Sequence, residues 1–395
     1  MKIFNLVMGN VPMSSPLDYP GYRRFLINNA LTSAVYPWSE MTVMWLFYQN
    51  LHSLLLFSLV ASSRVIVRIV GSPIAGWLGD RYDRGKILFV TKSTFPFILT
   101  TLALLMAFHQ YLIGIAVVFI RAFISEISAL TGSVSIVTLV PREMMSRAIF
   151  INRMIKEPST LVTTLTWPLM FNLLGPYLLL VSATTLAVAL PFVYGLKVSG
   201  GKKNVSLLTG LRIFASKQEV RGAILGIVVD QMAFAFLLYY TPLMVTLEGG
   251  SEIFYSLANA AFALGAVLGS YLVTKIKSSA IADIINLAVK VSLFPPLLFH
   301  NPWSLVYSMF AITFADMHLE IVWFRSLRTG ATDDYLSSVI GLDDTLTNLG
   351  RTGALEIFPF LLSDGLYTAV GLGLILIGVE GIIHLTHKSM LEFDS

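Results

Sequence analysis

The stretch "GWLGDRYDRGKIL", residues 76–88, sets a group of charged side chains between two long apolar runs. The charged residues are Asp80, Arg81, Asp83, Arg84 and Lys86. Each flanking run contains about the 20 mostly apolar residues that a helix needs to cross a bilayer. The stretch therefore predicts a tight polar turn at the membrane surface that joins two membrane-spanning helices.

The composition of the whole chain is typical of an integral membrane protein. Of its 395 residues, 55% are hydrophobic and only 13% are charged, and the mean hydropathy is +0.75. A soluble domain carries about 25% charged residues. The chain has no cysteine, which excludes disulfides, thiolate metal sites and cysteine catalysis. Residues 1–20 lack the apolar core of a cleavable signal peptide.

Apolar runs predict an all-α membrane protein with twelve transmembrane helices in two pseudo-symmetric six-helix bundles. The approximate spans are 22–48, 52–78, 87–108, 111–140, 145–172, 176–196, 220–247, 252–276, 281–299, 302–327, 335–362 and 366–387. The two bundles comprise residues 1–196 and 220–395. Residues 197–219 form the longest connection, a cytoplasmic linker that could contain a short interfacial helix.

Charges in the loops give the orientation of the chain. On one side lie 19 of the 27 basic residues, and the opposite loops contain none. The 19 are Lys2, Arg23, Arg24, Arg81, Arg84, Lys86, Arg142, Arg147, Lys197, Lys202, Lys203, Arg212, Lys217, Arg221, Lys275, Lys277, Arg325, Arg328 and Lys388. The positive-inside rule places both termini in the cytoplasm, in a multi-pass protein of the inner or plasma membrane. The net charge of +4 therefore reflects topology and does not indicate nucleic-acid binding.

The stretch at 76–86 resembles the loop motif G-x-L-x-D-R-x-G-R-[RK] of the major facilitator superfamily, with Asp83 in place of the inner glycine. Its "DRYDR" form is similar to the drug:proton antiporter branch that includes macrolide and enterobactin exporters. Two further segments, "SSRVIVRIVGSPIAGWLGDR" and "TLVPREMMSRAIFINRMI", also look like that branch. The resemblance implies two six-helix halves that rock around a central site.

The resemblance also implies that the loop is a conformational latch. Carried over, Gly76 packs against span eleven, Asp80 meets the N-terminal end of that helix, and Arg84 pairs with an acid below span four. Glu143 is the candidate acid. Arg81 and Lys86 complete the latch and hold the turn at the anionic inner surface.

Ionisable side chains inside the bilayer are the candidates for binding substrate and protons, because each costs at least ~2.5–3.5 kcal/mol to insert. In the superfamily's arrangement, spans one, four, seven and ten line the central cavity, and each carries such residues here. These spans supply Glu40, Arg121, Glu126, Asp230, Asp316 and Glu320, and Arg64 on span two is a further candidate that could reach the cavity. Asp316 and Glu320 share a helix face, as two acids that exchange a proton would. The alternative is that each charge has a structural partner.

Two segments bear on the direction of transport. The segment "RAFIS", residues 121–125, resembles the R-x-x-Q-G motif of proton-coupled drug antiporters, but only the arginine, Arg121, matches. Span five reads "KEPSTLVTTLTWP" and lacks the glycines of the antiporter motif G-P-x-x-G-G, which leaves uptake open.

The sequence thus predicts a secondary transporter and not an enzyme. There is no Walker-type phosphate loop, no Ser/His/Asp constellation and no pair of histidines that combines metal-ligand spacing with an acid, so we expect no cofactor or metal. Five cavity acids against one arginine favour proton-coupled export of an amphipathic or cationic compound. If Arg64 and Lys156 also face the cavity, an anionic substrate fits. The alternatives are a proton-coupled importer of a metabolite and, from another class, a non-transporting sensor or assembly protein. The expected partners are a small molecule, protons and the bilayer, and the expected state is a monomer.

Overall fold

The computed structural model describes residues 15–51, 53–141, 144–198, 207–273, 279–330 and 336–386. Within these ranges the chain folds into fifteen α-helices joined by short turns, with no β-strand. The first seven helices are α1 (Pro20–Ser33), α2 (Tyr36–Asn50), α3 (Leu54–Arg81), α4 (Arg84–Ala107), α5 (Tyr111–Thr138), α6 (Met145–Leu174) and α7 (Leu178–Ala189). The others are α8 (Leu207–Ser216), α9 (Gln218–Tyr239), α10 (Thr241–Leu247), α11 (Glu252–Val273), α12 (Ser279–Ser292), α13 (Pro302–Gly330), α14 (Leu336–Ser363) and α15 (Leu366–Thr386).

Every predicted span corresponds to one helix or to a pair of consecutive helices, and the predicted all-α membrane fold is confirmed. Helices α1–α7 make up the first half and α9–α15 the second half. Helix α8 lies within the connection between them. On length and composition alone, seven segments of the described chain qualify as membrane spans. One of the seven, Met154–Phe192, covers two predicted spans.

The first span of each half is broken at an equivalent place. Helix α1 ends at Ser33 and α2 begins at Tyr36, while α9 ends at Tyr239 and α10 begins at Thr241. Pro37 and Pro242 occupy the first turn of the new helix in each case. A proline there sacrifices no hydrogen bond, because the first backbone N–H groups of a helix have no intrahelical partner. The two breaks support the pseudo-symmetry of the halves.

The two ends of the bundle differ in charge. The described loops and helix ends on one side carry Arg84, Lys197 and Lys217, and we call this the basic end. The described loops at the other end, such as those around His109 and Gly249, carry no lysine or arginine, and we call this the neutral end. Asp83 begins α4 at the basic end by accepting a hydrogen bond from the Lys86 backbone N–H at 3.0 Å.

An aromatic seam joins the two halves near the neutral end. Trp45 of α2 stacks on Tyr255 of α11 with ring centroids 5.5 Å apart, and Trp167 of α6 meets the same ring edge-on at 5.3 Å. Phe57 of α3 meets Tyr240 edge-on at 5.6 Å. All five rings are buried. Burial of so much aromatic surface holds the halves together at this end.

Candidate functional site

The break between α1 and α2 places a group of charged and aromatic side chains at the middle of the first half. The Glu40 carboxylate lies 2.8 Å from Nη2 of Arg121 on α5 and 3.3 Å from Nη1 of Arg64 on α3. Arg121 also donates to the Ser39 hydroxyl at 3.2 Å, and Arg64 donates to the Tyr36 hydroxyl. We call Tyr36, Glu40, Arg64 and Arg121 the first-half ion cluster.

The first-half ion cluster carries two guanidinium groups for one carboxylate. Both guanidinium groups lie over the Tyr36 ring, 5.5 Å away for Arg64 and 5.8 Å for Arg121, within the range of cation–π attraction. The Arg121 side chain is 7% exposed, whereas that of Arg64 is 43% exposed. Arg121 is therefore the buried anchor of the cluster, and Arg64 is the member that an entering molecule can reach.

A cavity of about 330 Å³, the inter-half cavity, lies between the two halves. Helices α2, α3 and α6 form one wall and α9, α10 and α11 form the other. Glu40 and Arg64 are the charged residues among its described lining. The remaining lining residues are Tyr36, Pro37, Met41, Met44, Val60, Ala61, Thr160, Thr164, Leu238, Tyr239, Thr241, Pro242, Tyr255, Asn259, Phe262, Ala263 and Ala266.

A second cavity of about 380 Å³, the first-half cavity, lies inside the first half. Its described charged lining residues are Arg64, Lys92 and Lys156. The others are Phe25, Asn28, Asn29, Thr32, Ser33, Tyr36, Phe95, Ser125, Ser128, Ala129, Gly132, Asn152, Thr160 and Leu186. Tyr36, Arg64 and Thr160 line both cavities, so these residues separate the two spaces.

A second group of charges lies in the second half, and we call it the second-half ion cluster. The ammonium of Lys290 on α12 contacts the carboxylate of Asp230 on α9 and lies 3.1 Å from Glu380 on α15 and 3.7 Å from Asp316 on α13. Lys290 and Asp230 are fully buried, and Glu380 is 4% exposed. None of the four lines either of the two cavities described above. Three carboxylates thus surround one ammonium group.

Glu126 has a partner of its own. It accepts hydrogen bonds from Nε of Arg68 at 2.9 Å and from the Ser72 hydroxyl at 3.0 Å, both on α3. A Cβ atom at Gly71 would lie 3.4 Å from the Glu126 Cγ, an ordinary van der Waals distance, so α3 and α5 pack closely at this ion pair. Glu126 lines neither cavity, and Arg68 is occupied by this ion pair.

Glu356 of α14 links the halves near the neutral end. It accepts hydrogen bonds from the hydroxyls of Ser62, at 2.7 Å, and Ser58, at 3.2 Å, both on α3. Both serines are fully buried. Tyr240 adds a hydrogen bond to the Leu355 carbonyl at 3.1 Å within the second half. The Glu356 contacts lie beside the aromatic seam and close the same end of the bundle.

The described part of the loop motif docks against the chain that follows α7. The Arg84 backbone N–H donates to the Val198 carbonyl at 3.1 Å. A Cβ atom at Gly85 would lie 1.7 Å from the Leu196 carbonyl oxygen, so only glycine fits there. Lys86 is exposed at the basic end. The surroundings of Gly76, the side chains of Asp80, Arg81 and Glu320, and Glu143 as a whole lie outside the described residues.

Among the described titratable groups outside the membrane-spanning segments, one has a strongly perturbed pKa. Glu248 ends α10 at the neutral end and is 1% exposed. Burial raises the pKa of its carboxyl from the usual 4.5 to about 7, against the opposing influence of the Asn301 backbone and of His300.

The structure divides the predicted site residues into separate groups instead of gathering them around one chamber. Glu40, Arg64 and Arg121 come together, Asp230 and Asp316 come together around Lys290, and Glu126 stands apart. The physical reason is that each acid lies against the nearest basic side chain on a neighbouring helix. Sequence reasoning gave no site role to Lys92, Lys290 and Glu380, although their charges inside predicted spans were apparent, and it did not single out Glu356. All four are ionisable residues within predicted spans, which was the signal that could have found them.

A bundle of two pseudo-symmetric helical halves, with charged cavities between and within them, has the design of a membrane transport protein. The Major Facilitator Superfamily profile matches residues 25–354, and the chain belongs to this family. No match is found among curated protein sequences.

Solved transporter structures share this fold at low sequence identity. The nucleoside transporter NupG is similar with a TM-score of 0.71 at 14% identity, covering 95% of this chain and 100% of that one. A D-xylose–proton symporter gives 0.66 at 14% identity, covering 92% and 96%. A bacterial homologue of the human lysosomal transporter Spinster, in an inward-facing and unoccupied conformation, gives 0.66 at 13% identity, covering 94% and 98%. The drug:proton antiporter branch is not singled out by these similarities.

Proposed function

We propose that this protein is a secondary active transporter that moves a small organic solute across the inner or plasma membrane by alternating access, coupled to protons. The observation that carries the proposal is the inter-half cavity, across which α2, α3 and α6 face α9, α10 and α11. A site between two halves can open to either side of the membrane when the halves rock against each other.

The contacts at the neutral end support an arrangement closed on that side. With both termini in the cytoplasm, the neutral end faces the outside, where the aromatic seam and Glu356 hold the halves together. In the opposite arrangement we propose that the loop latch closes the basic end. The latch residues are Gly76, Asp80, Arg81, Arg84, Lys86 and Glu143. The proposed bundles are residues 1–196 and 220–395 of one monomer, with 197–219 as linker.

The proton is proposed to bind in the second-half ion cluster. Asp230 and Asp316 were the sequence candidates, together with Glu320, and Glu380 joins them in space. Three carboxylates of the described chain lie close together in a buried place, where the repulsion between like charges is costly. A proton bound by one carboxylate brings the cluster closer to neutrality.

Export of an amphipathic or cationic compound was favoured by a count of five acids at the cavity. Of these, Glu40 lines the inter-half cavity, while Glu126, Asp230 and Asp316 line neither cavity, which weakens the support for a cationic substrate. The second candidate is therefore proton-coupled import of a metabolite. It is favoured by the missing span-five glycines, and one matched structure is of a D-xylose–proton symporter.

Transport by purified protein in proteoliposomes tests the proposal. The panel contains a nucleoside, a pentose, an organic acid and an organic cation, each assayed by counterflow and with a pH gradient of either sign. We expect one class to accumulate in response to the gradient, and Arg121→Gln to slow its transport at least tenfold. Arg221→Gln, at an exposed position of the basic end, is the matched control. A folded protein that supports no counterflow of any solute would instead be a sensor or assembly protein.

A further inference from the structure

The first-half cavity has a one-sided charge. Its described lining includes the cationic side chains of Arg64, Lys92 and Lys156, on three different helices, and no aspartate or glutamate. Its volume of about 380 Å³ falls in the range of small-molecule sites, roughly 300–1,000 Å³. A cavity of this size and charge favours a small anion over a neutral or cationic molecule.

The polar network of the cavity occupies the side-chain oxygens of its three asparagines. Lys92 donates to the side-chain oxygen of Asn28 and lies 3.4 Å from that of Asn29. The Asn29 amide donates to the Asn152 oxygen at 3.1 Å, and the Asn28 amide donates to the Ala189 carbonyl at 2.8 Å. The asparagine oxygens are thereby used within the network. The ammonium of Lys92 is held by amide oxygens and by no carboxylate of the described chain.

Arg64 connects this cavity to the transport pathway. It lines both cavities and shares Glu40 with Arg121. Because Arg121 is the closer and more deeply buried partner, Glu40 retains a cation when an entering anion takes over Arg64. An anion in the first-half cavity can therefore change the charge at the wall of the inter-half cavity.

We propose that the solute that enters the inter-half cavity carries a carboxylate or phosphate group, and that the first-half cavity, which adjoins it at Arg64, binds this group through Lys92, Arg64, Lys156 and the amide of Asn152. The proposal rests on the transport function proposed above and names its substrate class as small organic anions. Oxyanions of either kind accept the charge-assisted hydrogen bonds that these donors supply.

Binding to the purified full-length chain in detergent tests this proposal without requiring transport. The probes are succinate and glycerol 3-phosphate, with succinamide and glycerol as neutral analogues and tetraethylammonium as a cation. We expect at least one anion to bind at least tenfold more tightly than its neutral analogue. The two anions distinguish carboxylate from phosphate recognition. Failure of both anions, or tighter binding of the cation, overturns the proposal.

Variants locate the binding in the cavity. Lys92→Gln keeps a donor for Asn28 but removes the charge, and it should weaken anion binding at least tenfold, while Lys92→Arg should retain it. Lys217→Gln makes the same charge change at an exposed site outside the cavity and should have no effect. Asn152→Asp, which adds an anion to the wall, should abolish binding and supplies a second test if Lys92→Gln fails to fold. Equal binding by wild type, Lys92→Gln and Asn152→Asp overturns the assignment.

The two proposals fail in different ways. Anion binding that depends on Lys92 without any counterflow would leave the site standing and remove the transport function. Counterflow of a nucleoside, pentose or cation by a protein that binds no anion would support the transport function and remove the anion site.

Discussion

Replacement of Lys290 by methionine should destabilise the second half more than replacement of any one of its acidic partners. Lys290 is fully buried, and its ammonium group is within 3.7 Å of three carboxylates. Methionine is an unbranched side chain only one heavy atom shorter than lysine, but it leaves Asp230, Asp316 and Glu380 without this cation. Removing one partner of a buried ion pair costs about 3–5 kcal/mol, because the remaining charge stays buried without compensation.

This cost can be converted into a shift in unfolding temperature. Unfolding entropy is about 2.1 cal/mol/K per residue in soluble proteins, or roughly 0.8 kcal/mol/K over the 395 residues of the chain. A loss of 3–5 kcal/mol then lowers the unfolding temperature by about 4–6 °C if the chain unfolds as one unit. Tryptophan fluorescence during heating of the detergent-solubilised protein measures the shift.

Two control variants isolate the effect of the single cation. Glu380→Gln leaves Lys290 with Asp230 and Asp316 and should cost only about 1 kcal/mol, or about 1 °C. Lys86→Met makes the same chemical change at an exposed position and should stay within about 0.5 kcal/mol of the original protein. The reasoning is refuted if Lys290→Met melts within 1 °C of wild type, or if Glu380→Gln costs as much as Lys290→Met.

The remaining predictions concern the loop motif, the neutral-end contacts and pH. Gly85→Ala should destabilise the protein by about 1–3 kcal/mol in thermal unfolding, because the new Cβ would overlap the Leu196 carbonyl oxygen. Gly353→Ala is the control, since a Cβ there meets open space and should not lower stability. Equal melting temperatures of the two variants would contradict this. Glu356→Gln weakens two charge-assisted hydrogen bonds by about 1 kcal/mol in total, which should open the neutral end about fivefold more often. Because the chain has no cysteine, Asn259→Cys in the lining of the inter-half cavity reports this opening, and an external maleimide should label it about fivefold faster. An unchanged labelling rate would show that Glu356 does not hold the neutral end closed. Folded Glu248 keeps its proton up to pH about 7 while the unfolded chain loses it near 4.5, so stability should fall by about 3 kcal/mol as pH rises through this window. Glu248→Gln should remove that slope in melts recorded from pH 5 to pH 8, and a slope retained by the variant would exclude Glu248 as its source.

The span map could be predicted from the sequence because run length and loop charge are local properties. The breaks at Val35 and Tyr240 were not predicted, although Pro37 and Pro242 mark both of them. A proline in an apolar run has two outcomes, a kinked helix or a new helix, and tertiary packing selects between them. Local signals therefore located the helices but not their interruptions.

The contacts of the buried charges could be predicted only in part. Sequence position indicated that Asp230 lies within a span, but not that it faces Lys290, 60 residues away in the chain. Glu126 was predicted to line the cavity because it lies on span four. Its side chain lies on the face of α5 that packs against α3, where it contacts Arg68 instead. Which neighbour a buried charge meets depends on helix rotation and crossing, and these are set by packing across the whole bundle.

Comparison of the two halves gives a physical reason for an anion in the first-half cavity. The third span of each half carries one lysine within the bilayer, Lys92 on α4 and Lys290 on α12. Lys290 lies among three carboxylates supplied by the protein, whereas Lys92 lies against the amides of Asn28 and Asn29. A buried ammonium is stable when an opposite charge compensates it. In the second half that charge belongs to the chain. If a bound anion supplies it in the first half, as proposed above, the stability of the first half should depend on substrate.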